Sequence, residues 1–206
     1  MLPTLIVFGD KTANEVLEAA TLGNQKSFGC MERVYFEEPT FSTMHAPRHT
    51  ASGLEIYYNI GVADVHVKQR INDRCKEIGW KPFTVLHPSA IISPSARLGE
   101  GVFVGPLAIV STNAIVGAHC IVHLHASIGH DARIGEYGAI LPGARISGSV
   151  QVGDRVLIGS NAFVNAGVRI GHDCQVDALT YVSRDLPDGH ILSVRAKGPM
   201  RRVARS

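Results

Sequence analysis

From Leu86 to Val182 every sixth residue is Leu, Ile or Val, seventeen times without a gap. The position four after each of these is restricted as well, mostly to Ala, Val, Cys or Gly, as at Ala90, Ala108, Cys120, Gly138 and Val156. A period of six fits neither the 3.6-residue turn of a helix nor the simple alternation of a strand. It fits a chain that turns a corner every six residues. Each hexad then has two inward residues flanking one outward residue, as in Ala126-Ser127-Ile128. Three hexads close a triangular coil, so residues eighteen apart stack. The pattern predicts a left-handed parallel β-helix of hexapeptide repeats, and the small inward slot answers to its narrow bore. Glycine follows the aliphatic residue at Gly99, Gly105, Gly117, Gly129, Gly135, Gly153, Gly159 and Gly171. The expectation is that the corner needs permissive backbone angles there.

No hexad exists before Leu86. Leu5–Phe8 reads as a buried strand ending at Gly9, Asn14–Leu22 as a helix, and Val34–Phe36 and Glu55–Ile60 as further strands. Val65–Ile78 reads as a helix with Val67, Ile71, Cys75 and Ile78 on one face, and Pro82–Leu86 as an extended lead-in. Alternating strands and helices imply a small parallel α/β, Rossmann-like sheet. The fold class is therefore mainly β. Residues 1–84 form a small α/β domain, 85–186 the β-helix, and 187–206 a basic tail. Ligands bind such sheets at the carboxyl ends of the strands. Those ends are Gly9-Asp10-Lys11-Thr12-Ala13-Asn14, Glu37-Glu38, and Asn59 to Ala63 with Gly61 between them.

Net charge is +2, but Arg195, Lys197, Arg201, Arg202 and Arg205 crowd the last twelve residues with no acid among them. Such a cluster suits phosphates on a ligand. The remainder is slightly acidic and holds one Trp, which argues against nucleic acid. No apolar run reaches a membrane span, and no basic leader opens the chain. A soluble cytoplasmic protein is expected, with no membrane insertion. Cys120 and Cys174 occupy the same inward slot three coils apart, about 14 Å at strand spacing. A disulfide needs Cα atoms within about 7 Å, so they read as core fillers.

His119, His123, His125 and His130 lie within twelve residues. His130 falls at a corner and is followed by Asp131. His172 has the same local context, Ile170-Gly171-His172-Asp173, but lies two coils plus one face further on. A corner imidazole beside a carboxylate suits a general base, because it titrates near neutrality and the carboxylate fixes its tautomer. Zinc needs three or four convergent ligands. His87 and His123 stack two coils apart, but the residue 36 before His125 is Ser89, so no metal is expected.

Three stretches carry a family resemblance: His87-Pro88-Ser89-Ala90-Ile91-Ile92-Ser93-Pro94, His125-Ala126-Ser127-Ile128-Gly129-His130-Asp131, and Pro142-Gly143-Ala144-Arg145-Ile146-Ser147-Gly148. With them the chain resembles the sialic-acid O-acetyltransferase-like and nucleotide-amino-sugar N-acetyltransferases, a branch of the hexapeptide acyltransferases. The resemblance implies transfer of an acetyl group from acetyl-coenzyme A to the amine of a nucleotide-linked sugar. It implies His130 as the base and Asp131 as the group that tunes it. It places the cofactor along the outside of the β-helix at a subunit boundary, with contacts at Ala139, Gly148, Ser160 and Ala178, and it implies homotrimers. Arg195 and Lys197 would meet the cofactor's phosphates. Gly9, Asp10, Lys11, Thr12, Asn14, Glu37, Glu38, Asn59, Gly61, His123 and His125 would hold the acceptor.

The chain departs from the family pattern at several points. Ala13 stands where the family's N-terminal glycine turn carries a histidine. Asp177 and Leu179 replace glycines around Ala178, and the Gly-Val-Pro-Ala-Lys tail reads Ser193-Val194-Arg195-Ala196-Lys197. Two alternatives stay open on the sequence: O-acetylation of a sugar hydroxyl, and a non-catalytic trimer that binds a sugar nucleotide.

Overall fold

The computed structural model describes residues 2–23, 28–34, 55–195 and 199–201. A four-stranded, all-parallel sheet opens the chain, with order β2-β1-β3-β4 for β1 (Thr4–Phe8), β2 (Cys30–Val34), β3 (Ile56–Ile60) and β4 (Lys81–Pro82). Its helices are α1 (Lys11–Gly23) and α2 (Val65–Glu77). Every residue of β1 is buried, and its side chains alternate between two cores as strand geometry requires. Leu5 and Val7 pack with α1; Ile6 and Phe8 pack with Tyr58, Ile71, Cys75 and Trp80 on the α2 side. Asp64 caps α2, its carboxylate accepting from the N–H groups of His66 and Val67.

Two element boundaries differ from the sequence reading by three residues or more. The second strand is Cys30–Val34 rather than Val34–Phe36, and residues 35 and 36 lie outside the described residues. It is an edge strand, half-buried and polar at Glu32 and Arg33, so no apolar run marks it. Helix α1 starts at Lys11, three residues before the expected Asn14. Lys11, Thr12 and Ala13 therefore form its first turn instead of extending the loop after Gly9.

From Val85–Leu86 (β5) to Tyr181–Val182 (β21) a two-residue strand recurs every six residues. Each pairs in parallel with the strand eighteen residues away, as Ile121 with Ala139 and Ser127 with Arg145. The result is a three-faced parallel β-solenoid of about six coils. The first face carries outward Phe103, Ile121 and Ala139. The second carries Ile91, Ile109, Ser127, Arg145, Phe163 and Tyr181. The third carries Arg97, Ile115, Arg133, Gln151 and Arg169. The aliphatic and small positions of the hexads fill one continuous core. Beyond β21, His190–Leu192 (β22) adds a further strand to the first face, paired with Gln175 and Val176.

The corner glycines serve a different purpose from the one expected. Among the described residues eleven non-glycine residues hold φ between 55° and 60°, including Asn113, His119, His125, Asp131 and Asp173, and each lies three positions after the aliphatic residue. The left-handed step is there, two residues later than the glycine. The glycine immediately after the aliphatic residue is needed for space. A Cβ on Gly117 would stand 2.6 Å from the carbonyl carbon of Gly135, and one on Gly129 would stand 2.6 Å from the backbone of Ser147 and Gly148. The coils approach so closely there that no side chain fits.

The N-terminal unit covers the first face. Phe103, Ile121 and Ala139 point away from the solenoid bore yet are buried, and Phe103 and Ile121 share a core with Leu5, Val7 and Val16. Burying one such aromatic contributes roughly 1.5–3 kcal/mol. Polar contacts flank this apolar joint. Lys68 of α2, fully buried, donates to the carbonyls of Gly138 (2.7 Å) and Tyr137 (3.3 Å). Asn72 donates to the Tyr137 hydroxyl at 2.8 Å and accepts from the Tyr58 hydroxyl. His119 is stacked between Tyr58 and Tyr137. Asn59 donates to the carbonyls of Phe83 (2.8 Å) and Gly101 (3.1 Å).

Candidate active site

The second and third faces meet at a corner that holds His130 and Asp131 in one coil and Gly148 in the next. The His130 side chain is two-thirds exposed, and its Nδ1 lies 2.8 Å from Asp131 Oδ2. An ionised carboxylate can only accept, so Nδ1 carries the proton and Nε2 keeps its lone pair. His130 and Asn113 together hold the Asp131 carboxyl below the usual carboxylate range, the His130 hydrogen bond being the larger cause. Asn113 Nδ2 donates to Asp131 Oδ1 at 3.2 Å. The Nε2 side of the imidazole packs close to Gly148: a Cβ there would meet Nε2 and stand 2.6 Å from Cε1. The glycine thus leaves room for the ring.

His172 repeats the local sequence and not the chemistry. Its Nδ1 lies 3.2 Å from Asp154 Oδ2 but accepts the backbone N–H of Asp154 at 3.0 Å, a bond that puts the proton of the neutral ring on Nε2. Asp173 is held by Arg155 through both oxygens, at 2.7 and 2.9 Å.

The remaining expected site residues divide between places. Ser160 and Ala178 lie on the corner between the first and second faces, half-buried and exposed respectively, together with His123 and exposed His125. They sit at the opposite edge of the second face from His130, Asp131 and Gly148. Ala139 lies on the first face with no surface open to a ligand in the protomer. Arg195 is exposed; the Lys197 side chain, like Glu37 and Glu38, lies outside the described residues.

Within the N-terminal unit, Gly9 and Gly61 pack against each other where β1 and β3 end, and Gly61 also abuts the backbone of Thr12 and Ala13. Asp10, Lys11 and Asn14 are exposed at the start of α1, Thr12 is half-buried, and Asn14 Oδ1 accepts from Arg33 at 2.6 Å. Asn59 spends both amide hydrogens in the joint with the solenoid, and only its buried Oδ1 has no partner.

His123 is buried rather than on the surface. Its Nδ1 stands 3.6 Å from Glu15 of α1, and neither that nitrogen nor Glu15 Oε2 has a hydrogen-bond partner. Burial, and then the charge of Lys68, push the His123 imidazole down to about 4. Burial and then Glu18 push the Glu15 carboxyl up. Both groups are driven toward their neutral forms. Asn113 and Glu15 were not marked by the sequence: one is an ordinary corner residue and the other an ordinary charge on a helix.

The repeat model named "Hexapeptide repeat of succinyl-transferase" matches residues 149–184. A GDP-perosamine N-acetyltransferase of Escherichia coli is 28% identical over 115 residues, which cover 56% of this chain and 52% of that protein, so the match spans about half the relative's length. A crystal structure of a mutant perosamine N-acetyltransferase from Caulobacter crescentus, bound to CoA and GDP-perosamine, superposes with a TM-score of 0.82 at 26% identity and covers 96% of both chains. The acetyltransferase domain of PglB from Neisseria gonorrhoeae, bound to acetyl coenzyme A, superposes at 0.81 with 22% identity over 97% of this chain and all of that one, a likeness of fold. In its repeat, its two-part architecture and these likenesses the chain is similar to the hexapeptide-repeat acyltransferases.

Proposed function

We propose that the chain transfers an acetyl group from acetyl-coenzyme A to the amine of a nucleotide-linked amino sugar. The observation that carries this reading is His130: an exposed imidazole whose Nδ1 is held by a carboxylate, leaving Nε2 free to take a proton. Nε2 removes the proton as the amine attacks the thioester carbonyl. The C–N bond forms, the tetrahedral oxyanion collapses, and coenzyme A leaves as the thiol after protonation. No covalent enzyme intermediate is required. A backbone N–H near Gly148 would stabilise the oxyanion. The amine is favoured over a hydroxyl as nucleophile because the similar proteins are N-acetyltransferases.

Residues 1–84 would supply the acceptor site and 85–186 the catalytic scaffold. The position of the two residue groups supports a trimer. His130 and Gly148 occupy one edge of the second face, while Ser160, Ala178 and His123 occupy the other. One ligand reaches both groups most simply when the edge of one protomer meets the opposite edge of the next. In that ring the second faces turn inward. This agrees with the exposure of Ile91, Ile109, Phe163 and Tyr181 on that face, and with the N-terminal unit lying over the first. The acceptor would lie by the start of α1, beside His123 and His125, and Arg195 and Lys197 would meet cofactor phosphates.

The test is release of free thiol from acetyl-coenzyme A against a panel of UDP-, GDP- and dTDP-linked amino sugars, with the product challenged by hydroxylamine. Thiol release with at least one panel member and a hydroxylamine-stable product is expected. A hydroxylamine-labile ester would move the reading to a hydroxyl acceptor, and no release across the panel would contradict acetyl transfer to this class.

A further inference from the structure

The two Ile-Gly-His-Asp segments are a controlled comparison within one molecule. Both stand at the same phase of the repeat, and Asp131 and Asp173 share the same left-handed φ, 58° and 57°. Yet the two imidazoles carry their protons on opposite nitrogens. Two stacked residues differ eighteen positions earlier: Thr112 and Asn113 in one case, Asp154 and Arg155 in the other. Asp154 Oδ2 also lies 3.2 Å from His172 Nδ1, while Asn113 and Arg155, the two that face the aspartates, hold nearly the same φ of 56° and 55°. Arg155 presents a fork. Its Nε and Nη2 take both oxygens of Asp173, leaving His172 to accept a backbone N–H instead. Asn113 offers one amide N–H to Oδ1 of Asp131 and leaves Oδ2 to His130. Asn113 is itself held from the coil before, where Ser95 Oγ accepts its backbone N–H at 3.0 Å.

We propose that Asn113 is the positioning residue that reserves one oxygen of Asp131 for His130 and thereby fixes which imidazole nitrogen is free to act as base. The proposal rests on the reading of His130 as the base. Asn113 acts through Asp131, one coil removed from the imidazole. An arginine at that position would satisfy the carboxylate bidentately and convert the site to the state seen at His172. The charged groups around the imidazole are Asp131 in its own coil and Arg133 on the adjoining third face, which also faces Asp131. Asn113, Thr112, Ser147, Gly148 and Ser149 in the coils on either side are uncharged.

The test is long-range proton–nitrogen NMR on histidine-labelled full-length protein, paired with steady-state kinetics, for Asn113→Arg, Asn113→Gly and His130→Ala. Asn113→Gly removes the side chain at a backbone angle that glycine adopts freely, so it guards against a folding defect. The native protein should show His130 protonated on Nδ1 and His172 on Nε2. In Asn113→Arg the His130 pattern should become that of His172, with kcat/KM lower by about tenfold or more, the scale of one lost charge-assisted hydrogen bond. KM for acetyl-coenzyme A should stay unchanged. Asn113→Gly should give a mixture of both tautomers and a smaller loss, and His172 should be unaffected throughout. An unchanged Nδ1–H signal at His130 in Asn113→Arg would overturn the proposal, as would a switched tautomer with native kcat/KM. Native activity in His130→Ala would overturn the underlying reading instead, a result distinguished by the NMR arm, which needs no substrate.

Discussion

His119 and His123 carry neutral imidazoles into the joint between the N-terminal unit and the solenoid. Burial pushes both down to about 4, with Lys76 and Lys68 adding to the effect at His119. In the unfolded chain each takes up its proton near the ordinary 6.5. Between those values the unfolded state binds more protons, so the stability they contribute is complete above pH 6.5 and is lost as pH falls toward 4. Glu15, pushed up by burial, opposes this within its own range. Thermal unfolding should therefore show a melting temperature that drops over that window, and His119→Phe should flatten the drop while keeping the stack between Tyr58 and Tyr137. Equal slopes for the two proteins would contradict this account.

The same residues show where the sequence stops being informative. His130 and Asp131 were legible because their neighbours lie in the same hexad and the phase sets their corner. His123 read as a surface ligand, because the helix that buries it is more than a hundred residues away. Asn113 was invisible because its role depends on a hydrogen bond between coils.

At the scale of the repeat, the corner divides two demands that the sequence merged. The left-handed angle falls on residues such as Asn113, Asp131 and Leu179, and the close approach of coils falls on the glycines after the aliphatic positions. Substituting each kind separates them. Gly117→Ala would drive a methyl group into the backbone of Gly135, at a cost of about 2 kcal/mol or more. For a chain of this size that lowers the melting temperature by about 4–8 °C. Leu179→Gly relieves a left-handed side chain that is 71% exposed. It should leave the melting temperature unchanged or raise it slightly, since the relief offsets the added freedom of the unfolded chain. Calorimetry of the two variants decides the matter, and equal destabilisation would return the corner glycines to a conformational role. The six-residue period made the solenoid readable because every coil repeats one local solution. The edge strand Cys30–Val34 was misplaced because one polar, half-buried strand has no repeat to average over.

At the scale of the molecule, the second face is the surface that most needs a partner. Phe163 and Tyr181 are 42% and 60% exposed and in contact with each other, and exposed Ile91 and Ile109 lie further along the same column, beyond Arg145 and Ser127. A ring of three chains that turns these faces inward should have a mass near three times 22.1 kDa by analytical ultracentrifugation. Phe163→Asp should shift it to the monomer and abolish turnover together, because each site then loses one of its two edges. A Phe163→Asp monomer with native turnover would show that one chain holds a whole site.

All of this depends on His130 removing the proton from the acceptor, and the most direct measurement is thiol release by His130→Ala beside His172→Ala, using the panel member on which the native protein works. The account predicts that His130→Ala loses a factor of about 10² to 10⁴ in turnover, that its melting temperature stays at the native value, and that His172→Ala keeps the native rate. Native turnover in His130→Ala, or an equal loss in both variants, would contradict it.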